Sequence, residues 1–271
     1  MNPRSLRDAL RIAVITAILA ASSACTFSPG SAAGDPYGPA FVDEFDGPAR
    51  PVGRPWVHDR GAGGWGNNET QLYTDDLANS RIDGQGHLAI TARRSGNTVT
   101  SARLTTHHTM SITYGRVSAR ISMPAGQGLH SAVWMLGDNV DDVQWPTSGE
   151  IDIIETINHG RAYHTGIHLP QASSVRGQTL SASAPFGTPL AGQFHVYWVN
   201  KTPGRIETGI DDRTLFVATP ADHAPDARWV FDQPFHLLLT LAVGGNWPGP
   251  TDSTTPASAT MLIDWVRVIK L

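Results

Sequence analysis

Cysteine occurs once in the 271 residues, at Cys25, so no internal disulfide can staple the chain and stability must come from packing or a bound ion. Long apolar runs are missing as well. The run from Ile12 to Ala21 falls short of the roughly 20 residues that span a bilayer. There is no excess of basic charge: the net charge is −4, with acidic and basic residues interspersed. This argues against a nucleic-acid surface or a basic membrane patch. No segment keeps a 3.6-residue apolar period over several turns, and no fixed-length repeat or charge run is present, which excludes helical bundles and solenoids.

Arg4, Arg7 and Arg11 lead into the short apolar run and small residues follow it, the three parts of a secretory leader. Residues 1–33 are therefore expected to be signal peptide and linker, and residues 34–271 a single catalytic-sized domain. A secreted or cell-surface protein is expected, with no transmembrane span in the mature domain. Cys25 in "SSAC" offers a lipid-attachment point, although Ser22 stands where lipoprotein leaders usually carry a bulky aliphatic residue. A twin-arginine pair is absent, so the general secretory route is the simpler expectation.

What the chain does have is turn residues and short β-rich runs, with 27 Gly and 19 Pro. "FVDEFDG" opens the domain and "MLIDWVRVIKL" closes it. Between them stretches such as "HLAITARR", "YGRVSARISMP", "SAVWMLG", "FHVYWVN" and "FHLLLTLAVGG" alternate with turn signals. About a dozen strands with little helix point to a two-sheet sandwich.

One run, "GEIDIIET" at 149–156, sets Glu150, Asp152 and Glu155 among three isoleucines. In a regular strand Glu150 and Asp152 share a face and Glu155 falls on the other, among aliphatics, where an unpaired charge is costly. A β-bulge at Ile153 and Ile154 would return Glu155 to the face of the other two acids. Glu150 and Glu155 would then have Cα atoms about 13 Å apart at roughly 3.3 Å per residue. Their carboxylates would stand on the order of 5 Å apart, the separation of retaining glycoside hydrolases. One Glu would attack the anomeric carbon and the other would protonate the leaving oxygen, with Asp152 hydrogen-bonding between them. The bland reading is a solvated edge strand whose acids pair with a neighbouring basic strand; no such basic strand is evident.

The residues resemble glycoside hydrolase family 16, in its laminarinase-like branch. "GEIDIIE" is similar to the family's ExDxxE signature, and "FVDEFDG", "GGWGNNETQLYT", "DGQGHLAITARR", "YGRVSARISMP", "FHVYW", "FDQPFHLLLTLAVGGNWPG" and "MLIDWVRV" follow in the family's order. The resemblance implies an all-β jelly-roll sandwich, concanavalin A-like, with a concave substrate cleft. It implies Glu150 as nucleophile, Glu155 as general acid/base and Asp152 as the residue orienting the nucleophile. It also implies sugar contacts at Asn67, Trp134, Trp145, His168, Asn246 and Trp247, residue types suited to stacking on and hydrogen-bonding a sugar. Trp134, in an apolar run, reads equally as packing, and His168 as a satisfied strand histidine. A structural Ca²⁺ is implied at Glu44, Gly84 and Asp264, with no cofactor required for the chemistry.

The implied activity is an endo-β-1,3-glucanase on laminarin-type glucan, with mixed-linkage β-glucan as a second substrate. The expected partner is β-glucan polysaccharide, with no nucleic acid, and the expected state a monomer. The competing class is a non-hydrolytic carbohydrate-binding or cell-wall protein on the same fold. The chain departs from the family where "GLHSAVWML" replaces the usual "GxWPAFWML", so His130 and Ser131 stand for a Trp-Pro pair. Thr208, Gly209 and Asp212 likewise stand where larger or tighter-turning residues are common.

Overall fold

Alternation along "GRVSARIS" puts Val117, Ala119 and Ile121 inside and the polar residues between them outside, and the same period-two logic builds most of the molecule. The computed structural model describes residues 39–270; the expected leader, the linker and Cys25 lie outside the described residues.

The strands are β1 (Pro39–Asp43), β2 (Val57–Asp59), β3 (Leu72–Tyr73), β4 (Ser80–Ile82), β5 (Leu88–Ser95) and β6 (Thr98–Ser101). They continue with β7 (Arg103–Thr105), β8 (Gly115–Ser122), β9 (Leu129–Gly137), β10 (Glu150–Ile157), β11 (Ala162–Gln171) and β12 (Ser174–Pro185). The last are β13 (Phe194–Thr202), β14 (Arg205–Ile210), β15 (Arg213–Ala218), β16 (Phe235–Val243) and β17 (Ser258–Lys270). One short helix, α1 (Val140–Val143), precedes β10.

Ten strands form one sheet in the order β15-β14-β13-β8-β17-β5-β6-β3, with β1 also on β17 and β4 also on β5. Seven form the other, in the order β12-β11-β10-β9-β16-β7-β2. The apolar face of each sheet meets the other in a single core. Ile90, Ile121, Tyr197, Val199 and Ile263 come from the first sheet, and Met135, Ile151, Ile167, Leu237 and Leu239 from the second. Burying each such aliphatic side chain contributes about 1.5–3 kcal/mol. The sandwich expected from the sequence is the fold observed. Its seven-stranded sheet buries one face in this core and carries a cleft on the other, with β10 and its neighbour β9, the middle strand, on the cleft floor.

Candidate active site

β10 is bulged where the sequence demands it. Against β9, Asp152 lies opposite Trp134 and Ile154 opposite Val133, leaving Ile153 as the extra residue. Against β11 the step from Asp152 to Glu155 spans only Gly166 to His164. Ile153 and Ile154 both enter the core, with relative exposures of 1% and 0%, while Glu150, Asp152 and Glu155 all line the cleft. Burial of the two isoleucines and exit of the charge act in the same direction. A bulge interrupts the ladder. Here Thr165 Oγ1 donates to the Asp152 carbonyl at 2.7 Å. Thr208 Oγ1, reaching across from the other sheet, lies 2.6 Å from Thr165 Oγ1. Gly149 immediately precedes the strand at φ +76°, and a Cβ there would lie 2.7 Å from Val230 Cγ2, so a side chain would be strained at that entry.

Two histidines flank the acids. His168, opposite Glu150 in register, places Nε2 at 3.1 Å from Asp152 Oδ2 and 3.8 Å from Glu150 Oε1, and Nδ1 at 2.9 Å from Thr179 Oγ1. Burial alone would lower its pKa. The hydrogen bond to Asp152 and the charges of Asp152, Glu150 and Glu155 outweigh burial and raise it to about 9. His130 Nε2 lies 2.9 Å from Glu155 Oε1, and this carboxyl lifts His130 against its own burial.

Burial first, then the charge of Asp152, raises the pKa of both Glu150 and Glu155. His168 opposes this at Glu150, and His130 and His168 oppose it at Glu155. The environment of the trio thus favours retaining a proton among the acids, which acid/base chemistry on a sugar uses.

The cleft has a volume of about 680 Å³. Asn67, Trp134, Trp145, His168 and Trp247 line it, and Asn246 does not. Instead Asn246 braces the rim: its Oδ1 accepts from Asn68 Nδ2 at 3.0 Å, and its backbone N–H donates to the Asn67 carbonyl at 2.8 Å. Trp134 is a wall rather than core packing. Arg103 lies between the Trp65 and Trp134 rings, 4.8 and 4.6 Å from their centroids. The guanidinium is held by Asp59 Oδ2 at 2.9 Å, so both indoles are fixed by one cation.

Trp65, Arg103, His130 and His164 line the cleft without having been singled out as contacts from the sequence. Trp65 was findable, since it sits among glycines in "GGWGNN". Arg103 and His164 carry no local signal, because only pairing across strands brings them to the acids. His130 was visible as a departure, and the structure gives it a partner, Glu155.

The carboxylates at two of the positions considered for Ca²⁺ meet arginines. Asp264 Oδ2 accepts from Arg120 Nη1 at 2.6 Å, and Glu44 Oε1 accepts from Arg267 Nε at 2.9 Å. Gly84, at φ +82°, has the Ala49 backbone N only 3.0 Å from where a Cβ would stand, a turn in close contact. The donors implied for Ca²⁺ are backbone carbonyls at Glu44 and Gly84 and the carboxylate of Asp264, of which Asp264 meets a guanidinium, and no chemistry at the acids runs through an ion there. Among the described residues no helix is long and apolar enough to cross a membrane.

Glycosyl hydrolases family 16 matches residues 66–267. The chain belongs to this family. It is 37% identical over 243 residues to a beta-glucanase of Rhodothermus marinus, covering 85% of this chain and 84% of that one. It is 31% identical to the glucan endo-1,3-beta-glucosidase A1 of Niallia circulans, covering 88% of this chain but only 39% of that longer protein. The laminarinase structure from Rhodothermus marinus superposes with a TM-score of 0.78 at 35% identity, covering 86% of this chain and 97% of the other. As a family 16 glycoside hydrolase of the same fold, the chain has its bulged acid row on the strand that floors the cleft.

Proposed function

We propose that this family 16 enzyme is an exported, retaining endo-β-1,3-glucanase acting on laminarin-type glucan, with mixed-linkage β-glucan as a second substrate. The observation that carries the reading is the bulge that brings Glu150, Asp152 and Glu155 onto the floor of one cleft. A groove walled by Trp65, Trp134, Trp145 and Trp247 suits the C–H faces of successive glucose rings. The names of the relatives support a β-glucan. Export rests on the leader read from residues 1–33.

In the proposed chemistry Glu150 attacks the anomeric carbon as the glycosidic C–O bond breaks, and the proton of Glu155 passes to the leaving oxygen. Glu155, now a carboxylate, takes a proton from water. The water oxygen attacks the same carbon and releases Glu150, so two inversions retain the β configuration. Asp152 and His168 steady Glu150 between its two states: Asp152 disfavours a second nearby charge, and the imidazolium favours it.

Reducing-sugar release from laminarin by the wild type beside Glu150→Gln tests this. The variant is expected to lose on the order of 10⁴-fold or more in kcat, and equal release by both would remove Glu150 as nucleophile. Fresh product examined by NMR should carry the β-anomer, and α-anomer first would exclude the double displacement. Glucan binding without hydrolysis by the wild type would favour the carbohydrate-binding alternative.

A further inference from the structure

On the cleft-bearing face, Glu150 lies opposite Leu136, and Leu136 opposite His236 on β16. His236 is therefore two strands, or about 10 Å, beyond the acids. There it meets His107, in the turn after β7, and Asp138, in the turn after β9. One donor atom from each of the three lies within 4.8 Å of the others. None of the three lines the catalytic cleft.

His107 Nε2 donates to the Asp138 carbonyl oxygen at 3.3 Å, but two other polar atoms of the cluster lack a partner. His236 Nδ1 and Asp138 Oδ1 are 3.3 Å apart, yet they are not aligned for a hydrogen bond. Both are buried without a hydrogen-bond partner among the described residues. The His236 side chain is only 3% exposed. Native proteins rarely leave such a pair of buried polar atoms without a third participant.

The separation itself suggests what that participant is. Nitrogen and oxygen ligands about 2.0–2.1 Å from a tetrahedral ion stand about 3.3 Å from each other and point at the ion rather than at one another. The His107 ring stacks on His236 with centroids 4.2 Å apart, and its Nε2 lies 3.3 Å from the Asp138 carbonyl oxygen. A second donor group continues outward: His108 Nε2 is 3.3 Å from Asp141 Oδ2, and Asp141 Oδ2 is 4.0 Å from His107 Nε2.

We propose that His107, Asp138 and His236 bind a divalent transition-metal ion of zinc type, whose fourth position is taken by water or by Asp141. Two imidazoles with one carboxylate select borderline cations such as Zn²⁺ over Ca²⁺, which prefers an all-oxygen shell. His236 Nδ1 is buried without a hydrogen-bond partner among the described residues, so it is placed to be a ligand. The ion would be structural. It would pin the turn after β7 and the turn after β9 to β16, and the segment it anchors at Asp138 runs through α1 to Trp145, a wall of the cleft.

The test uses untagged protein freed of metal by chelator and titrated with Zn²⁺ by calorimetry, with Co²⁺ absorption reporting coordination and melting temperature reporting stability. A single equivalent of Zn²⁺ should bind, Co²⁺ should give the visible bands of a tetrahedral site, and the melting temperature should rise. Asp138→Asn and His107→Gln should each weaken Zn²⁺ by at least about tenfold, whereas His159→Gln, at an exposed histidine elsewhere, should bind as the wild type does. Circular dichroism checks that the variants fold, and either one suffices if the other does not. Absence of Zn²⁺ uptake would overturn the proposal. So would uptake that survives both ligand substitutions.

Discussion

His130 replaces a tryptophan of the family pattern and forms a 2.9 Å contact with Glu155. That exchange trades a surface for stacking for an imidazole against the carboxyl proposed as acid/base. His130 pulls the Glu155 pKa down while burial and Asp152 push it up. Removing the imidazole charge while keeping a hydrogen-bonding side chain should therefore raise it. In His130→Gln the alkaline limb of kcat/KM, which reports the general acid in the free enzyme, is expected to move to higher pH. An unmoved limb would reduce His130 to a packing residue. The other sequence departures resolve differently. Thr208 bridges the sheets through Thr165. Gly209 lies under the Trp198 indole, where a Cβ would stand 2.1 Å from its Cζ2. Both are interior fittings of the sandwich, away from the sugar.

At the scale of the element, the bulge in β10 is the feature on which the site depends, and Thr165 is its brace. Thr165→Val keeps the shape but leaves the Asp152 carbonyl without the hydroxyl it accepts from. A cost of about 1–3 kcal/mol is expected, or roughly 2–10 °C in melting temperature for a domain of this size, with a loss of kcat as Glu155 loses its aim. Thr208→Val leaves that bond in place and should cost less. Thermal melts of the two variants decide the point, and equal losses would mean that the Thr165–Thr208 pair, rather than the bulge carbonyl, is what matters.

Much of this was legible in sequence, because the conflict between a period-two strand and a buried Glu155 has a single cheap resolution. The strands themselves were legible wherever one face is wet, as along β8. β16 was less so: all nine of its residues are buried, and an apolar run alone does not say which side faces the core. Neither α1 nor the short β3 announces itself, since four and two residues are too few to set a period.

For the whole molecule, the acids and histidines of the cleft tie stability to pH. The His168 pKa rises from 6.5 to about 9 on folding, so the stability it contributes is fully present below about 6.5 and is lost as pH climbs through 9. Glu150 and Glu155 are also raised and act in the same direction, favouring the folded state while they hold protons. The difference in melting temperature between wild type and His168→Asn should accordingly be largest near neutral pH or below and shrink toward pH 9. A difference that stays constant across that range would show that His168 contributes through packing alone.

Sequence by itself determined the class of fold, the acid row and most of the cleft's aromatic walls. The first two are written locally, as a period of two and as a charge where a core residue should be, and the tryptophans follow from the resemblance to the family. The tertiary structure decided what depends on pairing between distant strands. It seated Arg103 between two indoles and brought His130 and His168 to the acids. It turned Asn246 to the rim and gave Asp264 and Glu44 to arginines. It also gathered His107, Asp138 and His236 into one cluster. Residues a hundred positions apart become neighbours through the register of a sheet, and no local pattern of side chains encodes that register.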